Sequence, residues 1–208
     1  MNATSLYVVA HVYPVVGALL PQMASREAFA LLTAIGLQES RFAARRQHGN
    51  GPARGFWQFE LGGVEGVLEH PASRTAARGV LDVLGYPADE RAAHLAIEHN
   101  DVLAACFARL LLWTDPRGLP GADRGPDGWL QYLACWRPGK PHAATWAQNF
   151  ADGWKAVGAS RRMARQSPAS SRWVWSPTVT CSVPAISHTC CWTAGSRAPA
   201  SAGAAPIG

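Results

Sequence analysis

The sequence predicts a mainly α-helical domain over residues 1–159, followed by a compositionally distinct tail over 160–208. Three observations carry this. Before position 160 apolar residues recur at helical spacing, no stretch shows the period-2 alternation of a half-buried strand, and Gly, Pro and Asp clusters separate the periodic segments. The length, 208 residues with 48% hydrophobic content, suffices for one domain with a sizeable core and is too short for two large ones.

The apolar run from Leu6 to Leu20 comes first. It carries His11 and Pro14, has no basic stretch before it and is too short to cross a membrane, so it reads as a buried or amphipathic helix and not as a signal peptide. Between Ser25 and Ser40, Phe29, Leu32, Ile35 and Gly36 fall on one helical face, with Ser25 as N-cap and Glu27 near the positive end of the dipole. Gln47 to Gly55 is turn chemistry, and helices resume at Gly63 to His70 and Ser73 to Leu84. A long helix is predicted from about Asp89 to Trp113, ending at Asp115-Pro116. Gly128 to Trp136 and Ala143 to Val157 are the last helical segments, on either side of the loop Arg137-Pro-Gly-Lys-Pro.

After Ser160 the character changes. Ser, Ala, Pro, Thr and Gly make up 30 of the 49 residues and Leu is absent, so the segment cannot bury enough apolar surface to offset about 1–2 kcal/mol of ordering entropy per residue. Disorder is expected there. Two origins stay open: a flexible tail, or an out-of-frame translation of a GC-rich gene. The net charge of +5 also belongs to this tail, because residues 1–159 hold 14 basic and 14 acidic residues, whereas 160–208 hold five Arg and no acid. The body therefore has no basic bias that would nominate it as a nucleic-acid binder.

Five cysteines, with no CxxC pair, give neither a zinc pattern nor a disulfide framework, and Cys106 and Cys135 read as small buried hydrophobes. His94, Glu98 and His99 match no metal-site spacing, so no metal or cofactor is expected.

Glu39 is the residue to explain. Counting from Leu32 by three, four and seven reaches Ile35, Gly36 and Glu39, which places a carboxyl on the apolar face at the C-terminal end of its helix. Burial and the negative end of the dipole both raise a carboxyl pKa, the property a general acid at a glycosidic oxygen needs. The alternative is an ordinary helix-end carboxylate paired with Arg41 or Arg45.

The surroundings add a resemblance. Glu39-Ser40-Arg41-Phe42, a Gly-rich loop, and then Gly55-Phe56-Trp57-Gln58 resemble the first two motifs of the soluble lytic transglycosylases and goose-type lysozymes, a Glu-Ser-x-Phe followed by a Gly-Leu-Met-Gln. Asn100 with Ala104, Phe107 and Leu110 is similar to their third element, an Asn leading a helix of the form N-x-x-x-G-x-x-Y-L. Tyr132 to Lys140 looks like a diverged Ala-Tyr-Asn-Ala-Gly segment. The four elements occur in order between residue 25 and about residue 158, and the nearest likeness is to the phage-encoded branch. Phe56 and Trp57 replace Leu and Met, which predicts a more aromatic pocket wall. The fourth element lacks the Asn and first Gly, so either Tyr132 or Trp136 stands where the family has its tyrosine.

The resemblance implies a lysozyme-like helical domain that cleaves the MurNAc–GlcNAc β-1,4 bond of peptidoglycan as a lytic transglycosylase. Glu39 would be the single acid and base, with Ser40, Gly55, Gln58, Asn100, Tyr132 and Trp136 on the substrate side. The sugar's own 2-acetamido group and C6 hydroxyl would supply the attack and leave a 1,6-anhydro end. Glu60 is either a second carboxylate, which would make the protein a true hydrolase, or a helix-start residue. Gln58 either meets the acetamido group or Glu39, or caps its loop; Asn100 either faces the cleft or is a buried amide satisfied by backbone. Some of the six tryptophans before residue 160 stack on sugar in this reading, whereas Trp129 and Trp146 sit at core spacing. The partners implied are peptidoglycan glycan strands and phage virion proteins, with no specific nucleic acid and no membrane span. The implied location is a virion or the host cytoplasm, with action at the periplasmic cell wall. A rival reading is a non-catalytic virion or wall-binding protein that retains the fold.

Overall fold

The structure is a computed structural model that describes the backbone of residues 2–166 and side chains to residue 159. The expectations for the tail beyond these concern residues outside the described ones.

The N-terminal apolar run forms α1 (Ala3–Tyr7), a π-helical turn (Val8–Val12) and α2 (Tyr13–Leu19) in continuous succession. The wide turn has a local cause. Pro14, in the first turn of α2, cannot donate to a carbonyl four residues back and its ring would collide with it, so the helix loosens just before it. Val8, Val12, Tyr13 and Val16 point into the core. Among the described residues no helix is long and apolar enough to cross a membrane.

Helix α3 (Arg26–Glu39) starts where expected, with the Ser25 hydroxyl accepting from the Ala28 amide at 3.1 Å. It is buried on more than one stripe: Ala30, Leu31, Ala34 and Leu37 are covered as well as Leu32, Ile35 and Gly36. The extra cover comes from α9 (Ala143–Gln166), which runs along α3 as the most extensive helix pair of the fold. Gly153 makes this possible, since a Cβ there would collide with the Ala30 carbonyl. Helix α9 continues past the change of composition at Ser160; Arg161, Arg162, Ala164 and Gln166 are all good helix formers.

Helices α4 (Leu61–Glu69) and α5 (Arg74–Val83) lie close to their predicted spans. The long helix predicted over 89–113 is instead two, α6 (Glu90–Ile97) and α7 (Asp101–Trp113), which is a correction to the periodicity reading. Asn100 is the reason. Its backbone is extended, and its side-chain carbonyl accepts from the Leu103 amide at 3.0 Å, so it starts a new helix in place of continuing the old one. Helix α7 is apolar all round and packs against α2, α3, α4, α5, α6 and α8 (Gly125–Trp136). Arg109 on α7 is almost fully buried, donates from Nε to the Met23 carbonyl at 2.6 Å and lies over the Trp113 ring. Burial lowers its pKa to about 10. The fold is mainly α, and among the described residues the extended pairing is limited to isolated bridges, Arg46 with Arg54 and Arg54 with Phe59.

Candidate active site

Glu39 is the last residue of α3, and the chain turns sharply beyond it. Ser40 makes the turn. Its amide bonds the Gly36 carbonyl, its hydroxyl donates to the Phe56 carbonyl at 2.7 Å, and the same oxygen accepts from the Phe42 amide at 3.1 Å. Arg41 and Phe42 both take left-handed backbone (φ 54° and 53°), which costs a non-glycine residue on the order of 1 kcal/mol and is held here by packing. The Phe42 ring lies where a Gly36 side chain would be, edge-on to Phe56 and Trp57. Gly36 is thus a seat for that ring.

The loop after Asn50 comes back beneath this turn. Gly55 has φ +71°, and a Cβ would stand 2.8 Å from Ile97 Cγ2 and 2.9 Å from the Ile97 carbonyl oxygen, so only glycine fits. Arg54 and Phe59 exchange backbone hydrogen bonds, which closes a tight loop with Gln58 at its tip, also left-handed. Glu98 holds Arg54 in an ion pair and Arg46 at 3.5 Å, while Arg45 forks onto Asp101 at 3.0 and 2.7 Å. The turn between α6 and α7 therefore anchors the whole loop. His94 joins it, with Nε2 2.8 Å from the Phe59 carbonyl, and among the described residues no group of three or more His, Cys, Asp or Glu is placed to hold a metal.

Helix α8 supplies the opposite side. Tyr132 donates its hydroxyl to Glu39 Oε1 at 2.7 Å, across 93 residues of sequence. Its ring is stacked on Trp146 with centroids 5.4 Å apart, and Trp129 and Trp136 flank it. Trp136, one turn on, donates from its indole to the Trp57 carbonyl at 2.9 Å. Helix α8 ends at Arg137, whose left-handed backbone starts the loop to α9.

These elements enclose a long cleft with a volume of about 2340 Å³, well above the range of about 300–1,000 Å³ typical of small-molecule pockets and suited to a stretch of polymer. Glu39, Ser40, Gln58, Glu60 and Trp136 line it. Burial pushes the Glu39 carboxyl above its ordinary value, the Tyr132 hydroxyl pulls it back, and the negative charge of Glu60 pushes it further up. The Tyr132 hydroxyl is in turn pushed far up by burial and by Glu39, so it stays protonated and donates. The group is set up to hold a proton and release it.

Among the described residues no cation pairs with Glu39; of the two arginines considered from sequence, Arg45 is engaged by Asp101. Gln58 lines the cleft while its amide donates to the Gly55 carbonyl at 2.8 Å, capping its own loop. Gly55 lies beneath the wall against α6, and Asn100 lies outside the cleft, capping α7 and donating to the Tyr86 hydroxyl at 3.3 Å. Glu60 stands at the N-cap position of α4 without a side-chain capping bond and faces the cleft. The aromatic wall expected from Phe56 and Trp57 is corrected: both are fully buried, with the Trp57 indole donating to the Leu32 carbonyl at 2.8 Å. Cys135, expected in the core, is only half-buried and faces the cleft beside Asp115, where burial pushes its thiol up to about 12.

Two features of the cleft escaped the sequence reading. Gln38 accepts from Thr145 at 3.0 Å and Asn149 at 2.8 Å and donates to the His142 carbonyl at 2.9 Å, which ties the α8–α9 loop to the helix that carries Glu39. At the other end Arg117 forks onto Asp115. The adjacency of Gln38 to Glu39 is a signal for the first, and the spacing of Asp115 and Arg117, two residues apart, is a signal for the second. No family model, curated protein or solved structure matches the chain.

Proposed function

We propose that this protein cleaves the MurNAc–GlcNAc β-1,4 bond of peptidoglycan in a lysozyme-like domain, with Glu39 as the only protein acid and base. The observation that carries the reading is Glu39 itself: a carboxyl held towards its neutral form by burial, facing a polymer-sized cleft, with one hydrogen-bond donor from Tyr132.

In this reaction Glu39 gives its proton to the glycosidic oxygen as the bond to C1 breaks. The carbonyl oxygen of the 2-acetamido group closes on C1, so no second carboxylate is needed. Glu39, now ionised and steadied by the Tyr132 hydroxyl, takes the proton of the C6 hydroxyl as that oxygen bonds to C1 and displaces the acetamido oxygen. Glu39 ends protonated, and the sugar ends as a 1,6-anhydro ring. Ser40 acts through the backbone, fixing the turn that aims Glu39. Trp136 offers the edge of a flat surface to a sugar ring, and Gln58 offers its free amide oxygen to the acetamido group.

One observation favours a second reading. Glu60 lines the same cleft and lies near enough to raise the Glu39 pKa, so it is placed to direct a water at C1 and give a reducing end in place of the anhydro ring. Mass spectrometry of fragments released from purified sacculi separates the two outcomes. Glu39→Gln is expected to abolish release while the protein stays folded; undiminished release would overturn the assignment. A sacculus-binding protein that releases nothing, even with Glu39 intact, would instead be the wall-binding or virion component. In either form the proposed place of work is the cell wall, and the resemblance of its motifs to phage-encoded members supports a virion or the infected host as the location.

A further inference from the structure

We propose that Gln38 is a positioning residue that holds the loop between α8 and α9 as a fixed wall of the cleft, so that the grip on a glycan strand depends on it; this rests on the cleavage reading above. Every residue of that loop, 137–142, lines the cleft. The loop has little of its own to hold it there. Pro138 and Pro141 have no amide proton, a side chain at Gly139 would meet nothing within 4 Å, and the Arg137 side chain turns back to the Ala134 carbonyl of α8. Among the described residues, the 2.9 Å bond from Gln38 Nε2 to the His142 carbonyl is the only hydrogen bond that joins residues 137–142 to an element other than α8 and α9.

The chemistry of this tether fixes its orientation. A backbone carbonyl can only accept, so Gln38 turns its NH2 group to His142 and its oxygen to α9, where Asn149 Nδ2 donates at 2.8 Å and Thr145 Oγ1 stands at 3.0 Å. An ionised glutamate could not donate here and a lysine could not accept. The tether starts one residue before Glu39, yet Glu39 does not depend on it. That carboxyl is placed by the packing of α3, by the Ser40 bond to the Phe56 carbonyl and by Tyr132, whose ring is stacked on Trp146. Trp146 has its own anchor, an indole bond to the Gly125 carbonyl at 2.8 Å. Loss of the tether therefore frees the wall and leaves the acid in place. The cost falls on binding, because the strand must then order a loop that Gln38 had ordered in advance.

The test compares the full-length chain with its Gln38→Leu variant on soluble, uncross-linked peptidoglycan strands, and follows the Gly139 and Lys140 amides by backbone NMR relaxation without substrate. The order parameters of both amides are expected to fall from roughly 0.85 to below about 0.6. KM is expected to rise about tenfold, which the ordering of about one backbone residue is enough to give, while kcat stays within about twofold. Asn149→Leu, which removes a bond at the α9 end of the tether, is expected to raise KM by a smaller factor and to add nothing when combined with Gln38→Leu. Should Gln38→Leu fail to fold, Asn149→Leu and Thr145→Val carry the same readouts. Unchanged order parameters, a fall in kcat at constant KM, or additive effects of the two substitutions would each overturn the proposal. If the unsubstituted chain releases no fragments, the cleavage reading is lost and the comparison is made on the Kd for the same strands. Weaker binding by Gln38→Leu then leaves the role of the tether standing; equal binding, or none by either chain, removes it.

Discussion

Replacing Tyr132 with Phe removes one oxygen from beside Glu39 and leaves the ring where it is, stacked on Trp146 and flanked by Trp129 and Trp136. No cavity opens, so the effect reduces to the loss of the 2.7 Å bond to Glu39 Oε1. A hydrogen bond to a charged partner is worth about 1.5–3 kcal/mol, and that is the expected loss of stability where Glu39 is ionised, with a smaller loss where it is protonated. The sign for catalysis follows from the causes of the Glu39 shift. The hydroxyl pulls the pKa down, while burial and Glu60 push it up, so removing the hydroxyl leaves only the upward influences. The alkaline limb of the pH–rate profile, which reports loss of the acid, is therefore expected to move to higher pH, and the rate to fall because the ionised intermediate state loses its donor. Clearing of sacculi measured across the profile, with a melting curve at each pH, reads both effects. An alkaline limb that stays in place or moves down would refute the argument that Tyr132 tunes Glu39 through this bond.

Glu39→Gln carries a stability signature of its own. Because burial raises the native carboxyl pKa above the unfolded value, the native state binds more protons between the two values, and wild-type stability falls as pH rises through that window. The Gln protein lacks this penalty, so its stability advantage is expected to open above about pH 4 and grow by at most about 1.4 kcal/mol per pH unit, then level off; an advantage that shrinks with pH would contradict the burial of Glu39. Gly55→Ala forces a side chain into Ile97 from left-handed backbone and is expected to cost about 1–3 kcal/mol in chemical denaturation; a neutral result would mean that the loop adjusts freely. Asn100→Ala loses the α7 cap and is expected to cost about 1 kcal/mol while fragment release per folded molecule stays unchanged. A large drop in release with intact stability would instead give Asn100 a role at the substrate.

Much of this protein is legible in its sequence, wherever the determining interaction is local. Helical periodicity, the Ser25 cap, the glycine-rich loop and the position of Glu39 at the end of an apolar face are all decided within a few residues, because a helix repeats every 3.6 residues and a cap reaches three. The break at Asn100 was also local, yet it hid within a pattern that runs on through it, since a side chain that competes with the backbone leaves the apolar spacing undisturbed. What the tertiary structure decided is everything that depends on which surfaces meet. Whether Phe56 and Trp57 face the cleft or the core, whether Glu39 finds an arginine or a tyrosine, and whether Arg46 at the cleft meets Glu98 are settled by elements that arrive from far along the chain, α6 and α8 among them. Sequence alone placed an ionisable group on an apolar helix face; long-range packing determined its burial, its hydrogen-bond donor and therefore its readiness to hold a proton.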